Sequence, residues 1–359
     1  MKKQIIPPGS VIGIIGGGQL GRMAALEAAK LGYRTHIFTP EKASPAEQVS
    51  HRVTIAPYRD REALRDFAQN VDVVTFEFEN IPFETLKMLE GEVLVRPGAN
   101  ALHISQNRIR EKDYISKLGI QTAGYREVTS ADMLVEAVEA LGTPSILKTV
   151  ELGYDGKGQF VIQPDTDLRK LWADIGIGTG VLEAFVDYAK EISVVIARGA
   201  DGQVAIYPAV ENIHKSGILH QTIAPADVAE PVKQRAQEVA EAIAESLELV
   251  GVLAVELFVT KKGDVLVNEI APRPHNSGHW TLDACVTCQF EQFIRAVCGL
   301  PLGSVEMLAR AKMVNLIGSD ALEWEKYLYE PMTKLHLYGK ATARDGRKMG
   351  HVTRLEKLS

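Results

Sequence analysis

Glu256 lies in VGVLAVELFVT and Glu269 in DVLVNEIAP, two apolar runs joined around Lys261, Lys262 and Gly263. A two-residue or a four-residue turn centred on Lys262 and Gly263 would set the two glutamates directly opposite, and opposed side chains on one sheet face lie ~5 Å apart. Carboxylates that close repel unless a cation sits between them, and hard oxygen ligands at that separation suit Mg²⁺ carried in on a nucleotide's phosphates. The alternative, a solvated hairpin with splayed carboxylates, fits poorly with flanks this apolar.

Lys148 closes another apolar strand, and five residues on comes GYDGKGQ, residues 153 to 159, with three glycines and a lysine. The glycines let the backbone approach phosphate oxygens while Lys148 and Lys157 supply positive charge, so the loop reads as a flap over a polyphosphate. A flexible hairpin tip is the plain alternative. Further on, EAFVDYAKE places Glu183 and Glu191 around a short apolar link. In a nucleotide site such a link presents backbone groups to an adenine edge and Glu191 binds ribose hydroxyls; elsewhere it is a strand end with surface acids.

Gly16, Gly18 and Gly21 fit GxGxxG after a strand and at the start of a helix, a context that brings backbone N–H groups against a phosphate. A dinucleotide site also wants an acid at the end of the second strand, and that position is Thr39, with Glu41 beyond it. This departure argues against a nicotinamide-dependent enzyme. Cys285 and Cys288 form a CxxC, but only Cys298 and His279 are on offer as further zinc ligands. The cysteines are expected to be buried small residues on a helix, and no disulfide framework is expected of an odd number.

These groups need a scaffold. VIGIIGGGQLGRMAALEAAKLGYRTHIFTP reads as strand, glycine turn, amphipathic helix and second strand, a βαβ opening, and DVVTFEFENI adds a later strand of the same sheet. After Arg96, Pro97 and Gly98 a polar helical stretch, LHISQNRIREKDYISKLGI, opens a second unit, which sets the first boundary near residue 105. Short strands, glycine loops and helices follow to about residue 300, including a helix from about Pro231 to Leu247 and one through QFEQFIRAVCGL. The last segment holds KLHLYGKATAR and RKMGHVTRLEK, joined at Asp345 and Gly346, a strong hairpin signal. From Lys334 to Ser359 it carries seven Lys or Arg against two acids.

The 359 residues are 46% apolar and 24% charged, the composition of an ordinary globular protein too long for one core. A net charge of −6 with no long run of one sign leaves no footprint for nucleic acid. Pro7, Pro8 and Gly9 interrupt any export signal, and no run reaches the ~18 to 20 apolar residues of a membrane span. The expectation is a cytoplasmic protein.

In order along the chain, GGGQLGRM, FEFENI, GYDGKGQ, EISVVIARG, NEIAPRPHNSGHWT and YGKATARDGRKMGH resemble the N5-carboxyaminoimidazole ribonucleotide synthetases of the ATP-grasp superfamily, from about Val11 to Arg354. The resemblance implies a mixed α/β and α+β architecture. A Rossmann-like pre-ATP-grasp domain would span residues 1–105, an ATP-grasp domain 106–300 with a lid over about 110–182, and a small β-rich domain 301–359. It implies carboxylation of 5-aminoimidazole ribonucleotide with bicarbonate and ATP through carboxyphosphate. No covalent enzyme nucleophile is needed, because positioning and charge neutralisation carry such a phosphoryl transfer.

By the same resemblance the ATP site comprises Arg108, Lys148, the loop Gly153, Tyr154, Asp155, Gly156, Lys157, Gly158 and Gln159, then Glu183, Ala184, Phe185, Val186, Glu191, His214, Asn268 and Glu269, with Glu256 and Glu269 on Mg²⁺. Arg273, His275 and Asn276, with Lys157, would serve carboxyl transfer. Gln19, Leu20, Glu77, Glu79, Asn80, Tyr154 and Asp155 would surround the ribonucleotide's ribose and imidazole, and Lys340, Arg347 and Lys348 would take its phosphate. A homodimer is implied as well. Two readings compete: a non-catalytic ATP-binding module, against which Glu256, Glu269, Lys148 and Lys157 all stand, and a sister ATP-grasp ligase that activates a different small acid. Only FEFENI, the PRPHNSGHW turn and the basic C-terminal segment speak for the aminoimidazole ribonucleotide over the latter.

Overall fold

Strands apolar on both faces pair in parallel and are buried by crossover helices. VIGII and VVTF meet that description, and the first sheet follows from it. It contains β1 (Val11–Ile15), β2 (Arg34–Thr39), β3 (Arg52–Ile55) and β4 (Val73–Phe76), all parallel in the order β3-β2-β1-β4. The helix Gln19–Lys30 makes the first crossover and buries Leu20, Met23, Ala24 and Ala28, spaced three and four apart. The computed structural model describes residues 4–151, 153 and 158–358. β4 ends at Phe76, so Glu77 to Asn80 leave the sheet as a loop at the carboxyl ends of the strands.

The polar helical stretch after Gly98 is two helices, Ala99–Ser105 and Arg108–Lys117. Asn107 separates them: its side-chain oxygen accepts from the N–H groups of Ile109 and Arg110, both at 3.1 Å, which starts the second helix afresh. A small antiparallel sheet follows, ordered β5-β8-β6-β7 and built from β5 (Tyr125–Val128), β6 (Ser145–Thr149), β7 (Gln159–Ile162) and β8 (Gly180–Ala184).

The largest sheet runs from the second unit into the last segment. Its strands are β9 (Tyr188–Arg198), β10 (Val204–Ile206), β11 (Val210–Lys215), β12 (Ile218–Ala224), β13 (Gly251–Thr260), β14 (Val265–Ala271), β15 (Arg310–Ile317), β16 (Thr333–Leu337) and β17 (Lys348–Glu356). Their order is β14-β13-β9-β11-β12-β15-β17-β16, with β10 also on β9. The helix Glu230–Ser246 lays Val232, Ala236, Val239 and Ile243 on Ile192, Val194, Leu253 and Val255 of β9 and β13. Each large aliphatic side chain so buried contributes about 1.5–3 kcal/mol. A separate apolar cluster joins Leu20 and Met23 of the first crossover helix to Phe290, Phe293 and Ile294 of the helix Gln289–Val297, so the glycine loop is seated against the second unit.

Three expectations need correction. β16 and β17 do pair, with Leu337 opposite Gly350, but the connection runs from Tyr338 to Arg347 rather than turning tightly at Asp345 and Gly346. Those two residues form a local turn inside it, with Arg347 N–H donating to Arg344 O at 3.0 Å, while Gly339 at φ +72° bends the chain where a strand was expected to continue. The cysteines are buried free thiols, as anticipated, yet none lies inside a helix: Cys285, Cys288 and Cys298 all occupy helix-end positions. Finally, the Lys261–Gly263 connection is not centred between Lys262 and Gly263. Val259 pairs with Val265, which centres it on Lys262.

Candidate active site

Glu256 on β13 nevertheless faces Glu269 on β14, because the ladder slips between Glu256 and Leu257 and makes Asn268 an extra, bulged residue. The two carboxylates bring like charge together in a part-buried cleft. Burial first, and then Glu269, pushes Glu256 above the ordinary carboxylate range. Burial would also raise Glu269, but Arg108 and Lys148 outweigh it, and Arg108 Nη1 lies 3.1 Å from the Glu269 carboxylate. The side-chain oxygen of Asn268 is buried beside them without a hydrogen-bond partner among the described residues.

A second charged cluster adjoins the first, with Lys112 Nζ 3.5 Å from Asn268 O. Lys148 on β6 pairs with Glu183 on β8 at 2.7 Å, the two strands being direct neighbours, with Lys148 opposite Val181. Lys112, from the helix Arg108–Lys117, approaches the other oxygen of Glu183 at 3.2 Å. All three side chains are almost wholly buried. Burial alone would raise Glu183, but Lys112 and Lys148 hold it below the ordinary range; burial lowers Lys148, which Glu183 only partly offsets. The sequence reading missed Lys112 and Glu111. Arg108, Glu111 and Lys112 recur at the i, i+3, i+4 spacing of one helix face, which was the available signal. Glu111 accepts from Ile270 N–H at 3.2 Å and so ties that face to β14.

Beyond Glu183, Ala184 N–H is taken by Gly124 O at 2.8 Å and Val186 O by Tyr188 N–H at 3.0 Å, while the Phe185 ring is half exposed. Glu191 on β9 forms an ion pair with His214 on β11. Burial opposes both charges, but the pairing prevails: Glu191 is lowered and His214 raised. Of the expected flap, Gly158 at φ +70° precedes Gln159, which pairs with Lys148; Tyr154, Asp155, Gly156 and Lys157 lie outside the described residues.

At the end of β14 the chain turns through Arg273, Pro274, His275 and Asn276. Arg273 forms an ion pair with Glu79 of the loop after β4, which joins the first unit to the second at this point. His275 Nε2 lies 3.1 Å from Glu256, and its Nδ1 accepts from Ser277 N–H at 3.3 Å, so the ring proton belongs on Nε2, facing the carboxylate. Burial, with Arg273 and Lys348 nearby, keeps His275 neutral by lowering it well below the usual imidazole value. Asn276 is buried and makes a reciprocal amide pair with Asn315 of β15, at 3.0 and 2.7 Å.

The glycine loop corrects a further expectation. Its donors do not wait for a phosphate: Gly21 N–H, at 2.7 Å, and Gly18 N–H both go to the buried carboxylate of Glu77. A Cβ on Gly18 would stand 2.6 Å from Glu77 Oε1, so the glycine is there to admit a carboxylate. The Leu20 side chain is buried, Gln19 begins the helix beside the loop, and Asn80 is exposed. Lys340 Nζ donates to Lys348 O at 2.7 Å and Arg347 Nη1 to Thr342 O at 3.0 Å, so Lys340 and Arg347 lie in the connection and Lys348 at the start of β17 that follows it.

Two further groups carry residue types found on transition metals. Burial pushes the Cys285 and Cys288 thiols up to about 12, which keeps both protonated in the metal-free protein. Asp283, His336 and His351 have donor atoms within 4.8 Å of one another, and the two imidazoles stack at 4.5 Å and 12°. Asp283 already accepts from His336 Nε2 at 2.9 Å and His351 Nδ1 is bonded to Tyr338 Oη at 2.8 Å.

A parallel βα domain packed on an antiparallel α+β unit that carries buried lysines and opposed acids has the architecture of an ATP-grasp ligase. Comparison with known proteins agrees. Residues 10–106 match the ribonucleotide synthetase preATP-grasp domain, 113–290 the ATP-grasp domain and 311–358 the phosphoribosylaminoimidazole carboxylase C-terminal domain. The chain is 47% identical to N5-carboxyaminoimidazole ribonucleotide synthase of Bacillus subtilis (98% of this chain, 93% of the relative) and 47% identical to that of Brucella melitensis (99% of each). It superposes on the ADP complex of an N5-carboxyaminoimidazole ribonucleotide synthetase with a TM-score of 0.95 at 44% identity, covering 99% of this chain and 94% of the other. The Aspergillus clavatus synthase in complex with ADP and 5-aminoimidazole ribonucleotide gives 0.91 at 31% identity, covering 97% and 94%. The chain belongs to the N5-carboxyaminoimidazole ribonucleotide synthase family and is an ATP-dependent ligase.

Proposed function

We propose that the protein uses ATP and bicarbonate to carboxylate the exocyclic amine of 5-aminoimidazole ribonucleotide. The carrying observation is the register of Glu256 and Glu269, with Arg273 and His275 following at the end of the same strand. ADP would lie between Lys148, the 183–186 link, Glu191 and His214 on one side and Asn268 with Glu269 on the other. Two opposed carboxylates and the orphaned oxygen of Asn268 are an all-oxygen donor set suited to Mg²⁺. Bound there, Mg²⁺ would neutralise charge on the transferring phosphoryl group.

A bicarbonate oxygen attacks the γ-phosphorus, the bond to the ADP oxygen breaks, and carboxyphosphate results. Carboxyphosphate yields CO₂ and phosphate; the amine nitrogen bonds to the carbon and gives up one proton, leaving the N5-carbamate. Arg273 would hold the phosphoryl oxygens while sharing its guanidinium with Glu79, its ion-pair partner. His275 donates from Nε2 at the same place, and Lys157 would come in with the flap. The ribonucleotide would lie between Glu77, Glu79 and Asn80 and the turn at 275–276, its phosphate on Lys340, Arg347 and Lys348. We place domain boundaries near 105 and 300, and on the family resemblance propose a cytoplasmic homodimer. Among the described residues, no helix is long and apolar enough to cross a membrane.

The test is ADP release with Mg²⁺ and ATP, adding bicarbonate and the ribonucleotide separately and together. Release that needs the ribonucleotide and yields an equivalent of acid-labile carbamate supports the reading. Release driven instead by formate or an amino acid keeps the ligase and removes the substrate.

A further inference from the structure

Gln289 and Asn315 are not among the residues assigned above to ATP, metal or ribonucleotide, yet both grip the turn that carries His275 and Asn276. Gln289 is fully buried at the first position of the helix Gln289–Val297. Its Oε1 accepts from His275 N–H at 2.9 Å and its Nε2 donates to His275 O at 2.8 Å. One side-chain amide thus pairs with both backbone groups of a single residue, as a neighbouring strand would. Nε2 also lies 3.0 Å from His279 Nδ1, and the Gln289 backbone N–H donates to Thr281 Oγ1 at 2.9 Å. Space for this amide depends on Gly278, where a Cβ would stand 2.5 Å from Gln289 Oε1.

Asn315 does the same for the next side chain. It is buried on β15, bonds Asn276 reciprocally, and spends its remaining N–H on Leu219 O at 2.7 Å. In the ladder Asn315 faces His351 of β17, the strand that begins at Lys348.

We infer that Gln289 and Asn315 are positioning residues for carboxyl transfer: through His275 and Asn276 they fix the turn against both the helix Gln289–Val297 and the strands leading to the basic loop. This rests on the proposed carboxylation. A loosened turn still lets ATP react with bicarbonate but delivers the carboxyl group less often, so ADP forms without an equal amount of carbamate. Misplacement of about 1 Å at such a site costs up to about 100-fold in rate.

The experiment compares wild type, Gln289→Met and Asn315→Asp. Methionine keeps the length and removes both pairings; aspartate keeps the shape but sets an oxygen against Asn276 Oδ1. The readouts are kcat, KM for ATP and the ratio of ADP to carbamate, a ratio that a smaller active fraction does not change. Expected are a kcat lower by about 10- to 100-fold, KM for ATP within about twofold, and a raised ratio. An unchanged ratio in both variants overturns the inference, whatever kcat does. If Gln289→Met does not fold, Asn315→Asp decides by the same ratio, and failure of both to fold makes the roles structural and overturns it too. Wild type that forms no carbamate removes the proposed reaction itself, whereas variants coupled like an active wild type remove only the positioning role.

Discussion

Glu256 meets Glu269 because Asn268 is one residue more than a regular ladder holds. Val259 pairs with Val265 and Leu257 with Val267, so an unbroken register would set Asn268 opposite Glu256. The bulge passes Asn268 by, brings the second carboxylate into opposition and leaves an amide oxygen buried without a partner.

Opposed carboxylates cost the ligand-free protein stability and make sense only with a cation. Glu256→Gln relieves the repulsion while its amide oxygen can still accept from His275. The variant should therefore melt no lower than wild type without nucleotide, while its ADP release falls by about 100-fold, the equivalent of about 3 kcal/mol of lost charge stabilisation. Thermal melting and ADP release on the same sample check both halves. A variant that turns over normally would remove Glu256 from the metal site.

Gly18 has an ordinary φ of −79°, so an alanine there is unstrained in the backbone and acts only through its Cβ, 2.6 Å from Glu77 Oε1. Gly18→Ala should displace the Glu77 carboxylate from the loop. KM for the ribonucleotide should rise by about tenfold, as for a lost charge-assisted hydrogen bond of about 1.5 kcal/mol, with KM for ATP unchanged. Steady-state kinetics in each substrate separate the two, and equal rises in both would count against the assignment.

Features that a short stretch of chain determines were legible from it. The βαβ opening, the helix Glu230–Ser246 and the apolar strands around Glu256 and Glu269 follow from periodicity and turn residues. The opposition of those glutamates was anticipated through the wrong turn, since a connection centred on Lys262 and a bulge at Asn268 together mimic the register of one centred half a residue later. Asp345 and Gly346 misled because a tight turn can sit inside a longer loop as readily as between paired strands. Glu77 under the glycine loop, 56 residues from Gly21, depends on which strands lie adjacent, and nothing local records that.

Lys112 and Lys148 share one buried carboxylate, Glu183. Removing one lysine leaves the other pairing intact, so Lys112→Met should destabilise by about 1–3 kcal/mol, less than the 3–5 kcal/mol typical when a buried ion loses its only partner. Lys112→Met combined with Lys148→Met strands Glu183 and should cost more than the two single changes added together. Denaturant midpoints across this double-mutant cycle test it, and simple additivity would show that the three charges do not act as a unit.

His36 makes a traceable contribution to stability that should be lost on mild acidification. It is fully buried on β2 beside the Phe67 ring; Nε2 is bonded to Thr54 at 2.8 Å and Nδ1 has no partner among the described residues. Burial first, and then Arg52, lowers its pKa to about 4, against about 6.5 in the unfolded chain. Between those values the unfolded state binds a proton that the folded state refuses, so stability declines as pH falls from about 6.5 to about 4 and levels off below. The contribution is at most about 3 kcal/mol. His279 and His351, also buried and held well below the usual value, act in the same direction. His36→Gln cannot titrate, so its thermal midpoint should drop less than that of wild type between pH 7 and pH 5. Parallel curves for the two proteins would mean that His36 accepts its proton in the folded state as easily as in the unfolded one.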